Sequence, residues 1–163
     1  MKMFRHLALA AVLALGASAV FSQNLSKGIE SAQSGNFAEA AKQFLPLAIT
    51  GNAEAQAWLG ALYKEGKGVD QDFAEAEKWL RSSAVQGNSK AQMMLGILYG
   101  AGLGMKVDEE AAFMWLSISV INGEDQALQG INKIKNKLTA EEIGRVRASV
   151  IRCIESTYRD CSE

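Results

Sequence analysis

The sequence predicts an all-α protein, an α/α solenoid of antiparallel helix pairs closed by C-terminal capping helices. Three observations carry this. A gapless internal repeat with an offset of 36 residues runs through the middle of the chain. Apolar residues recur at helical spacing within each repeat. Helix-start and helix-stop residues, Asp72, Gly87 and Thr139 among them, stand at the ends of those patterns. With 163 residues, 48% apolar and 21% charged, the chain has the material for one packed domain, and its composition excludes a disordered one.

Taken in order, residues 1–19 read as a secretory signal. Lys2 and Arg5 charge the start, an apolar run extends from Leu7 to Ala17, and Ala17-Ser18-Ala19 offers small residues for cleavage, with a second site after Ser22. The apolar run is shorter than the roughly 20 residues of a spanning helix, so no stable membrane anchor is expected. Residues 25–54 read as a compact, degenerate first helix pair, because FAEA at Phe37–Ala40 recurs at Phe73–Ala76 and Gly51-Asn52 recurs at Gly87-Asn88.

Residues 55–90 and 91–126 are the full repeats, matching at Ala55/Ala91, Gln56/Gln92, Leu59/Leu95, Gly60/Gly96, Tyr63/Tyr99, Gly66/Gly102, Asp72/Asp108, Trp79/Trp115 and Ser83/Ser119. In the first helix of the unit Ala55, Leu59, Leu62 and Tyr63 share a face, and Gly60 lets the partner helix approach closely. Gly66 and Gly68 turn the chain, and Asp72 caps the second helix, which carries Ala76, Trp79 and Leu80. The last full repeat has Phe113 and Met114 where Glu77 and Lys78 stand one unit earlier, so its second helix needs a cover. Residues 127–157 supply it, with Thr139 and Glu142 forming a capping box ahead of Ile143, Val146, Val150 and Ile154. Residues 158–163 form a tail.

Charge and residue types then exclude function classes. The formal net charge is -1, and cleavage after residue 19 leaves 15 basic groups against 18 acidic, or -3, so a nucleic-acid partner is not expected. His6 is the only histidine and departs with the signal, which removes every Ser-His-Asp, Cys-His or His-metal arrangement. The glycine pairs lack the preceding strand and the Lys-Ser/Thr of a phosphate loop. No catalytic, cofactor-binding or metal-ligating set emerges, and the expected protein is not an enzyme. Cys153 and Cys161 read as a disulfide in an exported chain, with a linked dimer or a redox pair as alternatives. Its short loop limits the entropic stabilisation to about 2.5 kcal/mol, enough to fasten the tail.

Trp79 and Trp115 recur at the repeat period and read as core. Trp58 does not, its equivalent being Met94. It lies about 100° from Leu59 on the helical wheel, on the flank of Ala61 and Glu65, where the first helices of a solenoid line its concave surface. Trp58, Ala61, Glu65 and Met94 are therefore the candidate partner-binding residues. Contact with a partner and packing between repeats are both open for Trp58.

The runs Leu59-Gly60-Ala61-Leu62-Tyr63-Lys64-Glu65-Gly66-Lys67-Gly68-Val69 and Leu95-Gly96-Ile97-Leu98-Tyr99-Gly100-Ala101-Gly102-Leu103-Gly104, each followed by an Asp and a Trp-Leu pair, resemble the Sel-one-like repeat family, relatives of the tetratricopeptide repeats. The resemblance covers residues 37–126 and implies a tetratricopeptide-like superhelix. It further implies an adaptor or regulator that binds another envelope or secreted protein, in the periplasm or outside the cell. Cysteine-rich relatives are linked with β-lactam binding or hydrolysis, so a cell-wall-related hydrolase is the alternative, but this chain lacks their repeat cysteines.

Overall fold

A computed structural model describes residues 23–161; the expected signal segment and both cleavage sites lie outside the described residues. Among the described residues there are eight α-helices and no strand. They are α1 (23–33), α2 (Phe37–Ile49), α3 (Ala53–Glu65), α4 (Phe73–Ala84), α5 (Ser89–Ala101), α6 (Glu109–Ile121), α7 (Ala127–Ile134) and α8 (Ala140–Glu155), with a 3-10 turn at Lys135–Lys137. From α2 to α7 consecutive helices pack on one another, α3 on α4 and α5 on α6 most extensively, and α8 packs on α6.

The start of each helix is written into the repeat. Asn52 and Asn88 accept the backbone N–H groups of Ala55 and Ala91 at 2.8 and 3.0 Å, and Asp72 and Asp108 do the same for Ala74 and Ala111 at 2.9 and 2.8 Å. Each cap removes at least one orphaned donor from a helix end, and Asp72 removes two by also accepting from Glu75 N–H. The first helix of each unit ends at a glycine in the left-handed region, Gly66 at φ 64° and Gly102 at φ 63°. Within α3 and α5 the expectation of close approach holds: a methyl group on Gly60 or Gly96 would sit 2.5 or 2.7 Å from Cγ of Leu80 or Leu116 on the partner helix.

The core divides at α3. Leu59 and Leu62 pack with Ala32, Phe44, Leu47 and Ala48 of the first pair, whereas Ala57 and Tyr63 join a larger cluster running through α4–α8 to Cys161. Trp115, Leu116 and Ile118 are fully buried there, each contributing on the order of 1.5–3 kcal/mol by leaving water. Trp115 thus meets the core expectation outright, and Trp79 is half-buried against the first-pair cluster. The apolar surround of α6 is covered by both α7 and α8, the latter through Val146, Val150 and Cys153. The capping box forms as the sequence requires: Thr139 Oγ1 accepts from Glu142 N–H, and the Glu142 carboxylate accepts from Thr139 N–H at 2.7 Å.

Candidate partner-binding groove

The odd-numbered helices form one face of the stack, with α3 touching α5 and α5 touching α7. Between α3 and α5 lies a groove of about 550 Å³. Ala57, Trp58 and Ala61 line one wall; the turn at Gly87–Asn88, the start of α5 and Met94 line the other. The wall is fixed because Asn88 caps α5 and holds Ser89 and Lys90 in its first turn. Glu54 and Lys90 place one charge of each sign at the rim.

Trp58, Ala61 and Met94 are therefore brought together as the sequence places them. Glu65 is not. It sits in the last turn of α3, exposed, tied to Lys67 at 2.7 Å and Lys64 at 3.7 Å, and the hydrogen bond from Lys67 holds its carboxyl below the ordinary range. Helical spacing alone put it on the flank of Ala61, but α3 runs past the end of the groove before Glu65 is reached. Trp58 is half-buried: its ring stacks on Phe44 of α2, centroids 5.6 Å apart and planes 10° from parallel, while it also lines the groove. Packing between repeats and exposure to a partner are both properties of this one side chain.

Residues 53–88 and 89–123 match the description Sel1 repeat. These two units are Sel1 repeats. Their starts at 53 and 89 coincide with α3 and α5, two residues ahead of the alignment starts 55 and 91. Solved structures of similar fold include c5321, a protective antigen present in uropathogenic Escherichia coli strains displaying an SLR fold, at 27% identity and a TM-score of 0.78 over 85% of this chain. A Sel1 repeat protein from Oxalobacter formigenes matches 76% of it at 27% identity and a TM-score of 0.64. The chain spans 31% of the length of the first and 53% of the second. No curated protein matches it. The Sel1-repeat fold implies a role in protein–protein interaction.

The Sel1 units are tied together by buried polar side chains that sequence reasoning did not assign. Gln56 and Gln92 donate to the carbonyls of Ala48 and Ala84, at 3.0 and 2.9 Å, at the ends of the preceding helices. Their own amide oxygens accept from Gln86 and Asn122, both at 2.8 Å. Ser83 and Ser119 donate to the carbonyls of Ala53 and Ser89, so the start of each first helix is pinned to the end of its second. The signal was present, since Gln56/Gln92 and Ser83/Ser119 are identical at the repeat offset, and polar residues repeated among core positions imply buried hydrogen bonds. These bonds hold the Gly87–Lys90 wall in place.

Cys153 and Cys161 are disulfide-bonded, with Cα atoms 4.5 Å apart and both residues buried. The tail they close brings the Tyr158 hydroxyl to Asn122 Oδ1, to which it donates at 2.8 Å.

Proposed function

We propose that this is an exported repeat protein that binds another envelope or secreted protein through the α3–α5 groove and acts as an adaptor or regulator without catalysing a reaction. The observation that carries the proposal is the convergence of Trp58, Ala61 and Met94 on one groove between two Sel1 units. A half-exposed tryptophan held flat against a buried phenylalanine is a pre-organised anchor, and such aromatic groups dominate interface energetics. Export is supported by the charged start and apolar run of residues 1–19 and by the disulfide, which persists in oxidising compartments. No helix among the described residues is long and apolar enough to cross a membrane.

The test is a crosslinking pull-down from the native exported fraction with wild type, Ala61→Arg and Trp58→Ala as baits, read by mass spectrometry. Trp58→Ala removes the stack on Phe44 and lowers stability as well as binding. Ala61→Arg fills the groove from a half-buried position and leaves that stack intact. A protein captured by wild type and lost with both variants, while Ala61→Arg melts within about 3 °C of wild type, is the expected result. Equal capture by wild type and Ala61→Arg removes the groove from the reading.

A further inference from the structure

A second groove, of about 520 Å³, lies between α5 and α7, on the other flank of α5 from the Trp58 groove. Its larger apolar lining residues are Met93, Ile97, Leu116 and Ile134. Its only charged lining residues are Lys133 and Lys137. The sequence does not announce it, because the repeat fades after residue 126, and α7 keeps only the core spacing of α5, with Ala127, Ile131 and Ile134 where Ala91, Leu95 and Leu98 stand one unit earlier.

The charge is local and runs against the chain as a whole. Residues 127–138 contain Lys133, Lys135 and Lys137 and no carboxylate, within a protein of formal net charge -1. Lys137 reaches Glu109 at 3.6 Å, whereas Lys133 has no ion pair among the described residues. Two exposed amides, Gln126 and Gln129, complete the rim. An amide side chain offers both a donor and an acceptor, which a peptide backbone uses and an acyl chain leaves idle.

We infer that the α5–α7 groove is a second docking site, and that it receives a polypeptide segment of the partner whose apolar side chains alternate with carboxylates. Apolar side chains fill the floor, a carboxylate faces Lys133, and the backbone meets Gln126 and Gln129. The inference rests on the interaction role proposed above but not on the Trp58 groove, and two consecutive methionines tell the grooves apart: Met93 lines this one and Met94 the other.

The experiment follows the methionine methyl signals of the protein, labelled with carbon-13, during titration with an end-blocked ten-residue peptide of alternating leucine and glutamate. Parallel titrations use the same peptide with lysine for glutamate, and oleate. The expected result is a saturable shift of Met93, absent with the lysine peptide, weakened about fivefold in Lys133→Glu and reduced in high salt. Lys133 is exposed, so its reversal leaves the fold intact. The absence of a saturable Met93 shift overturns the inference, as does binding indifferent to Lys133→Glu or equal binding of the lysine peptide. A shift with oleate and none with the acidic peptide replaces the polypeptide by an anionic amphiphile. A shift of Met94 alone overturns this site and leaves the Trp58 groove standing.

Discussion

Replacing Gly60 by alanine places two opposed effects on one methyl group. In an unencumbered helix interior the change stabilises by about 0.8–1 kcal/mol, because alanine is the better helix former. At Gly60 the new Cβ falls 2.5 Å from Leu80 Cγ and 3.2 Å from the Ala76 carbonyl, and both Leu80 and Ala76 are fully buried, with no space to yield into. Overpacking of this kind costs about 1–3 kcal/mol. The net expectation for Gly60→Ala is a loss of roughly 1–2 kcal/mol, and Gly96→Ala should behave alike, its Cβ meeting Leu116 Cγ at 2.7 Å. The internal control is Gly144→Ala in α8, where a Cβ meets nothing within 4 Å and the propensity gain stands alone. Urea unfolding of the three variants decides it: Gly144→Ala shifts the midpoint up and the other two shift it down with an unchanged slope. A Gly60→Ala protein as stable as wild type would falsify the close-approach account of the helix pair.

Three further changes probe the capping end. Reducing the Cys153–Cys161 bond, whose partners are separated by 8 positions, should cost up to about 2.5 kcal/mol on the chain-entropy estimate; a urea midpoint unmoved by dithiothreitol would mean the tail is no part of the cooperative unit. Gln92→Leu removes the buried bond to the Ala84 carbonyl and takes from half-buried Asn122 its acceptor, at a cost of about 1–3 kcal/mol, and should exceed Tyr158→Phe, which removes one half-buried hydrogen bond worth about 1 kcal/mol; equal melting temperatures for the two would contradict the assigned bonds. Thr139→Ala should cost about 1 kcal/mol. The Glu142 carboxyl is held below the ordinary carboxylate range, first by the Thr139 backbone N–H and then by its hydroxyl. A depressed carboxyl stabilises the fold fully above its ordinary value and loses that contribution as pH falls through the lowered one. An NMR titration should therefore find Glu142 low in wild type and part of the way back in Thr139→Ala, which keeps the backbone bond; no difference would contradict the capping box.

The helix pairs were legible because a repeat reports its own packing. Leu59/Leu95, Gly60/Gly96 and Trp79/Trp115 recur because each unit packs them against the equivalent neighbour, and a period of 36 points to stacked helix pairs. What escaped depends on distance along the chain. The partner of Gln92 is a carbonyl 8 residues back and an amide 30 residues on, and identity at the repeat offset says that such a position matters without saying what it touches. Trp58 stayed ambiguous for the same reason: its stacking partner Phe44 comes from the degenerate first pair, where the alignment is thinnest. Glu65 lies off the groove because a helical wheel gives angle and not height, and α3 continues past Ala61, the last of its residues to line it.

The spacing of the polar ladder explains why so short a stack can end where it does. Gln86, Asn122 and Tyr158 are each 36 residues apart. Gln86 donates to Gln56, Asn122 donates to Gln92, and Tyr158 takes the place a third amide would hold one repeat later, donating to Asn122 instead. Holding it there puts Thr157 and Tyr158 in the left-handed region, at φ 55° and 63°, which costs non-glycine residues on the order of 1–2 kcal/mol each. The disulfide and the hydroxyl bond offset that cost. The Tyr158 ring in turn lies where Gly87 has no side chain, since a Cβ there would meet its Cε2 at 3.2 Å. Gly87 is also part of the wall of the Trp58 groove. The tail therefore does more than close the chain end: its Tyr158 ring packs beside Gly87 in one wall of the α3–α5 groove, while its hydroxyl continues the polar ladder through Asn122 to Gln92 of α5.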